Sequence, residues 1–215
     1  LFLNFMCVQL FLAADAPLPS QLQLESILLD EVFRDVIYSV RNRIDLRMPY
    51  QEINDTDGDQ VFLLQFSEGC LERLRFILFG SVMGNVRIEF LPRSVELLEI
   101  QTCAQTYEVQ TRHLPRRATQ IMLNNNLIYG SIGLQGLPPH VTCFEMRHNF
   151  LTGQISLFYL PETLTSIDLR WNQISGTVYY GALPEKIEKI RLSNTRIRSI
   201  KPIKGMDCSA KSVFD

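Results

Sequence analysis

Residues 137–197 repeat one apolar pattern at a fixed interval, and they read LPPHVTCFEMRHNFLTGQISLFYLPETLTSIDLRWNQISGTVYYGALPEKIEKIRLSNTRI. Leu-Pro opens each copy, at Leu137, Leu160 and Leu183, so the interval is 23 residues. In every copy the seventh and ninth residues after this Leu are apolar, and the eighth residue after it is charged. Alternation of this kind predicts a short strand with an inward apolar side and an outward polar side.

The same interval extends toward the N-terminus. Leu-Pro also stands at Leu91 and Leu114, and a weaker copy of 24 residues with Leu71, Leu74 and Phe76 precedes them. A single unit of 23 residues cannot bury the apolar side of its own strand, whereas stacked units share one continuous core. The repeats therefore predict a solenoid with a parallel sheet.

The full pattern of a copy, L-P-x-x-L-x-x-I-x-L-x-x-N-x-I-x-G-x-I, resembles the leucine-rich-repeat family, and its Gly-x-Ile end is similar to the plant-type subclass. This resemblance implies a solenoid shaped as a horseshoe or arc, with the parallel sheet on its concave face. Alternating apolar pairs predict short second strands and turns on the convex side, at Ile132/Leu134, Ile155/Leu157 and Val178/Tyr180. The first copy has Phe79 in place of the Asn and the last lacks the Gly, so both ends of the array are expected to be irregular.

The interval also divides the chain into segments. Six repeats are predicted, at 67–90, 91–113, 114–136, 137–159, 160–182 and 183–205, followed by a tail at 206–215. Residues 17–66 are predicted to form an N-terminal cap, with a helix over about 20–41, where apolar residues recur at helical spacing, and a strand over about 61–66. Residues 1–16 resemble a truncated signal peptide without an initiator Met or a basic start; a buried helix or a wrongly predicted gene start is the alternative.

One polar position inside each copy is expected to be structural. Asn126, Asn149 and Asn172 stand three residues after the last apolar strand residue, where a side-chain amide can satisfy backbone groups of the turn. Cys103 and Thr195 take that place in the flanking copies. Gly130, Gly153 and Gly176 follow and permit a bend.

Composition and motifs favour binding over catalysis. The net charge is −2, but residues 17–66 hold nine acids and four bases while 67–205 hold eleven acids and sixteen bases. The bases alternate with acids and form no stripe, which argues against nucleic acid. No nucleophile, zinc or phosphate-loop motif occurs, and no metal or cofactor is expected. Glu145 and Asp168 should lie about 4.8 Å apart, a glycosidase-like pair, but nearby arginines favour a charge-paired binding surface.

The predicted function is therefore a protein-interaction scaffold that binds a protein or peptide on its concave face. A cell-surface carbohydrate receptor or adhesin, and a structural spacer, are the alternatives. The candidate ligand-binding residues are Glu145, Arg147, His148, Phe150, Asp168, Arg170, Trp171 and Arg191. Trp171, the single Trp, is predicted to be exposed at the sheet edge as a binding centre, or else to stack on the Arg147 and Arg170 stems. A monomer is expected.

The sequence supports two alternative predictions for the cellular location of the protein. The start of the chain favours a secreted or cell-surface protein without a transmembrane segment, and Asn54 then begins a usable glycosylation sequon. Cys70 and Cys208 belong to opposite ends of the array, and Cys103 and Cys143 are two copies apart, so no disulfide is expected. Free thiols are typical of the alternative, a cytoplasmic protein.

Overall fold

Six parallel strands stacked one repeat apart form the main sheet of the molecule. The structure is a computed structural model and describes residues 21–36, 50–54, 59–67, 70–203 and 213–215. In chain order its elements are helix α1 (Gln21–Val32) and strands β1 (Tyr50–Asn54), β2 (Val61–Ser67), β3 (Cys70–Ile77), β4 (Leu97–Gln101), β5 (Gln120–Met122), β6 (Tyr129–Ser131), β7 (Cys143–Glu145), β8 (Phe150–Thr152), β9 (Ser156–Leu157), β10 (Ser166–Asp168), β11 (Ser175–Tyr180), β12 (Lys189–Arg191) and β13 (Arg196–Pro202). The fold is a solenoid of about six turns, so the predicted parallel sheet is confirmed. The repeat boundaries stay predictions.

Equivalent residues of successive repeats lie directly opposite each other in this sheet. One inward residue from each of β4, β5, β7, β10 and β12 pairs in a single line, which runs Leu98, Ile121, Phe144, Ile167 and Ile190. All five are fully buried, while their neighbours along each strand face outward. Because each strand advances by one repeat, the interval in the sequence fixes the register of the sheet.

The second side of each turn changes along the chain. Short 3₁₀ helices occupy it at Ile88–Phe90, Thr111–His113 and Leu134–Gly136. Later repeats are extended instead, because β11 pairs in parallel with both β9 and β13. The second strand expected at Ile132/Leu134 was therefore wrong, since Leu134 begins a 3₁₀ turn. Gly133 precedes this turn and Gly136 is its last residue, and both disfavour an extended strand there. Leu157 and the pair Val178/Tyr180 do lie in strands.

A helix and a hairpin adjoin the first repeat at the N-terminal end. The strand expected at 61–66 is β2, which pairs antiparallel with both β1 and β3 and extends the main sheet to eight strands. The helix expected over 20–41 was too long, because α1 ends at Val32 and Val36 forms an antiparallel bridge with Gly84. The Val32 carbonyl accepts a hydrogen bond from the Arg87 N–H. Val36 is β-branched, and β-branched residues favour extended backbone.

The α1 segment packs its apolar side against the first repeats. Leu29, Val32 and Phe33 are buried, and the Phe33 ring meets Phe76 edge-on with centroids 6.1 Å apart. On the exposed side, Arg87 pairs with the acids of this segment. That the segment is required as a cap stays a prediction. Within the described ranges, no helix is long and apolar enough to span a bilayer.

At the C-terminal end, residues 213–215 add backbone pairing beyond β12. The Ile190 N–H donates to the Val213 carbonyl, and the Leu192 N–H donates to the Asp215 carbonyl. The Phe214 ring lies 5.2 Å from that of Tyr180. The expected signal peptide (1–16), most of the sequon after Asn54, and residues 206–212 of the expected tail lie outside the described residues.

Candidate functional site on the outward face of the sheet

The outward side chains of the six parallel strands form one surface, which we call the sheet face. It carries three rows, namely Arg73, Leu97, Gln120, Cys143, Ser166 and Lys189, then Arg75, Glu99, Met122, Glu145, Asp168 and Arg191, and then Ile77, Gln101, Asn124, Arg147, Arg170 and Ser193. Glu145, Asp168 and Arg191 pair in register across β7, β10 and β12. The candidate residues Glu145, Arg147, Asp168, Arg170 and Arg191 therefore share one part of this face.

Asp168 is the most enclosed acid of the sheet face, with 2% of its surface exposed. Its carboxylate accepts hydrogen bonds from Nε and Nη2 of Arg170, at 2.9 and 2.6 Å, and from the Arg170 backbone N–H. Arg191 Nη1 lies 3.8 Å from the same carboxylate. The hydrogen bond to Asp168 raises the pKa of Arg170 above its ordinary value. Asp168 thus positions two arginines and has little surface left for a ligand.

A second acid, missed as a site residue in the sequence, has the same arrangement nearer the N-terminus. Glu99 is 6% exposed, and its carboxylate accepts hydrogen bonds from Arg75 Nε and Gln101 Nε2. The sequence signal for it is the charge at the eighth position of the copy, opposite Arg75 in the neighbouring strand. Within the described part of the chain, no group of three His, Cys, Asp or Glu side chains is arranged to hold a metal ion.

Between these two ion pairs lies a group centred on Asn124, which is buried. Its Nδ2 donates to Glu145 Oε2 at 2.8 Å, and its Oδ1 accepts from the Arg147 backbone N–H at 3.0 Å. The Cys143 thiol also faces Glu145, with Sγ 3.6 Å from Oε1. The Arg147 guanidinium is different, because its Nε is buried and has no hydrogen-bond partner.

Aromatic side chains occupy the edge of the sheet face beside the arginines. Trp171 is 51% exposed and stacks on His148, with ring centroids 5.1 Å apart and planes inclined by 10°. Phe150, also exposed, lies in β8 opposite the exposed Tyr129 of β6. The stacking partner of Trp171 is thus the imidazole of the preceding repeat, where the sequence analysis had considered the stems of Arg147 and Arg170.

The backbone at this edge is unusual in every repeat. The residue before the Asn position has a positive φ between 54° and 65° in all six copies, and these residues are Leu78, Thr102, Asn125, His148, Trp171 and Asn194. This left-handed conformation is common for Asn and costly for bulky side chains. His148 and Trp171 therefore stand at positions whose backbone conformation is unfavourable for side chains of their size.

The three Asn residues at the next position join adjacent repeats. Asn126, Asn149 and Asn172 each donate Nδ2 hydrogen bonds to a carbonyl of the preceding repeat and to carbonyls of their own turn. Each Oδ1 accepts a backbone N–H of the preceding repeat, for example Ile128 N–H at 3.1 Å for Asn149. These bonds hold the turn that carries the left-handed residues.

In the second repeat, a buried polar pair replaces this arrangement. The Cys103 thiol lies 3.1 Å from the Gln101 carbonyl, and burial raises its pKa to about 11. Gln105 is fully buried and bonds Gly84 O and Val86 N–H through its amide. The sequence contained a signal for Gln105, because the equivalent residues of the next four copies are all Ile or Leu.

Comparisons with known proteins add little to this description. No protein-family model matches the chain, and no curated protein matches it. Among solved structures, the crystal structure of a pollen receptor kinase 3 is similar, with a TM-score of 0.44 and 16% identity over 67% of this chain and 83% of that one. A likeness at this level does not by itself establish a family or a function.

Proposed function

We propose that the chain is a leucine-rich-repeat scaffold that binds a protein or peptide partner through the sheet face and its aromatic edge. The sheet face would be the concave surface of the solenoid. The proposal rests on the repeat pattern together with the structure of the site, and it includes a binding role without catalysis. The enclosure of Asp168 by Arg170 supports that part, because a glycosidase needs two carboxylates that reach the substrate.

The observation that carries the proposal is the exposed stack of Trp171 on His148. Both side chains stand at left-handed positions, which cost free energy for residues of this size, while Asn125 and Asn194 fill the equivalent places on either side. Half of the Trp171 surface remains open to solvent, and Phe150, two residues after His148, is also exposed. Trp is over-represented among residues that dominate binding interfaces, so an exposed Trp at a strained backbone position favours a contact surface.

The same aromatic surface also supports the second candidate, a carbohydrate receptor, because a sugar ring can stack on an open indole face. A spacer without a fixed ligand has no comparable support at this edge. A location outside the cell stays part of the proposal and rests on residues 1–16 alone, whereas the free thiols of Cys103 and Cys143 favour the cytoplasm. N-terminal sequencing of the protein from its native source would decide between them.

The proposed function is tested by exposing the purified chain to a displayed library of random short peptides and, in parallel, to a glycan array. The variants are Trp171→Ala and a control, Gln120→Ala, which removes an exposed polar side chain of the sheet face. Enrichment of peptides by the parent and by the control, with loss of at least about tenfold in affinity for Trp171→Ala, supports the proposal. Binding of glycans alone would favour the carbohydrate receptor, and binding of neither probe would contradict both.

A further inference from the structure

Arg147 differs from Arg75 and Arg170 on the sheet face in having no internal partner. Arg75 donates to Glu99 and Arg170 to Asp168. The side chain of Arg147 has no ion pair with any residue that the structure describes, and its Nε–H has no acceptor. A buried N–H without an acceptor costs free energy, so the position of this guanidinium is not explained by internal stabilisation.

The nearest acid along the strand does not neutralise Arg147. Glu145 stands two residues earlier on the same face, but its Oε2 accepts from Asn124 Nδ2 at 2.8 Å and its Oε1 lies 3.6 Å from the Cys143 Sγ. Asn124 is itself buried and also holds the backbone N–H of Arg147. The Asn124 side chain thus fixes the backbone of Arg147 and also binds the carboxylate of Glu145.

The charge of the whole sheet face has the same sign as this arginine. Its three rows contain six cationic side chains and three carboxylates. Two of the carboxylates, Glu99 and Asp168, are buried against their own arginines. The face therefore has an excess of positive charge, and a complementary partner carries acidic groups.

We propose that Arg147 receives a carboxylate of an acidic peptide that lies across the sheet face, an inference that rests on the proposed function. Arg147 can turn toward a ligand without breaking an internal hydrogen bond, whereas Arg75 and Arg170 would each abandon a buried acid. A guanidinium binds a carboxylate through two parallel N–H donors. His148 follows Arg147 directly, so an apolar residue of the same peptide reaches the stacked Trp171.

Either an Asp or Glu side chain or a free C-terminus can supply the carboxylate, and the experiment separates the two. Random peptides are displayed in two sets, one with a free C-terminal carboxylate and one with a C-terminal amide. Each set is selected on the parent, on Arg147→Gln and on Arg73→Gln. The last variant makes the same change of charge on the same face, three strands away and exposed, and it is the matched control.

We expect the parent and Arg73→Gln either to enrich peptides with Asp or Glu or to bind only peptides with a free C-terminal carboxylate. Arg147→Gln should lose whichever of these two preferences the parent shows. Affinity for a selected peptide should fall roughly tenfold or more with Arg147→Gln, and by about threefold or less with Arg73→Gln. A peptide preference that survives unchanged in Arg147→Gln overturns the inference and leaves the proposed function intact. A parent that selects no peptide at all overturns both.

A second variant keeps the test independent of how well Arg147→Gln folds. Glu145→Gln removes the acid two residues before Arg147 on the same face and retains an oxygen that can accept from Asn124. The loss of a like charge beside the bound carboxylate should strengthen binding of a selected acidic peptide by roughly threefold. Unchanged or weaker binding of that peptide by Glu145→Gln would overturn the assignment of Arg147.

Discussion

Replacement of Asn149 by Ala tests how strongly the Asn positions hold adjacent repeats together. Its Oδ1 accepts the Ile128 N–H at 3.1 Å, and its Nδ2 donates to Leu123 O at 2.9 Å, Met146 O at 3.1 Å and Arg147 O at 3.3 Å. Removal of the amide leaves the buried Ile128 N–H without this acceptor. The substitution therefore acts mainly through one orphaned donor.

The three carbonyls lose less, because each keeps a second donor. Leu123 O still accepts from Asn126 Nδ2, Met146 O from Asn172 Nδ2, and Arg147 O from the Asn125 N–H. One orphaned buried donor costs about 1–3 kcal/mol and a shared bond less, so we expect Asn149→Ala to lower the free energy of unfolding by about 3 kcal/mol. With a urea dependence of about 2 kcal/mol per molar, the midpoint should fall by about 1.5 M.

The assay is urea unfolding followed by far-ultraviolet circular dichroism, with Thr195→Ala as the control. Thr195 takes the same place in the last repeat, but it is only half-buried. Its Oγ1 donates one 2.7 Å bond to Leu192 O and accepts a long 3.4 Å bond from the Ile197 N–H. Its removal should cost about 1 kcal/mol. Asn149→Cys, which imitates Cys103 as a donor to carbonyls, should lie between the two. An Asn149→Ala loss equal to that of Thr195→Ala would refute the reasoning.

Three further predictions concern the core, a thiol and the N-terminal segment. Leu169→Asp places a charge at a fully buried position and should abolish cooperative thermal unfolding, whereas Ser166→Asp on the sheet face should melt close to the parent; equal melting temperatures would contradict the register. Burial raises the pKa of Cys103 from 9.0 to about 11, so its protonated thiol stabilises the fold below pH 9 and this stabilisation is lost as the pH rises through 11. The difference in unfolding free energy between the parent and Cys103→Ala should therefore shrink between pH 9 and pH 11, and a difference that stays constant would contradict this prediction. Deletion of residues 17–42 uncovers Phe76 and should cause aggregation in light scattering, a result that a monomeric and cooperatively melting truncation would exclude.

The strands of the main sheet could be predicted from the sequence because each stacked copy buries the same strand positions against its neighbours. Phe144, for example, must face inward, because Ile121 and Ile167, its partners in the two neighbouring strands, face inward. The other side of each turn was less predictable. There the choice between a 3₁₀ turn at Leu134–Gly136 and the extended strand β11 depends on local glycines and on what the next repeat offers for pairing.

The candidate site was predicted as a set of positions but not as a set of contacts. The outward direction of Asp168, Arg170 and Trp171 follows from alternation in the strand and from the turn after it. Which arginine meets which acid depends on rotamers and burial, and the sequence spacing leaves several pairings open for Asp168. The stack of Trp171 on His148 was missed for a similar reason, because it depends on the left-handed backbone of two adjacent turns.

The internal pairing of charges on the sheet face has a consequence for how a ligand is bound. Glu99 and Asp168 each hold an arginine in place before any partner arrives, so little side-chain entropy remains to be lost in those regions. Such paired groups contribute shape and orientation more than net attraction, because a ligand charge has to compete with an existing partner. Among the described residues, net attraction is then left to groups such as the guanidinium of Arg147, which has no ion pair, and the solvent-exposed part of Trp171 at the edge of the face. Under the proposed function, this surface with many charges reduces to a small binding centre, for which an acidic residue followed or preceded by an apolar one is the simplest complementary ligand.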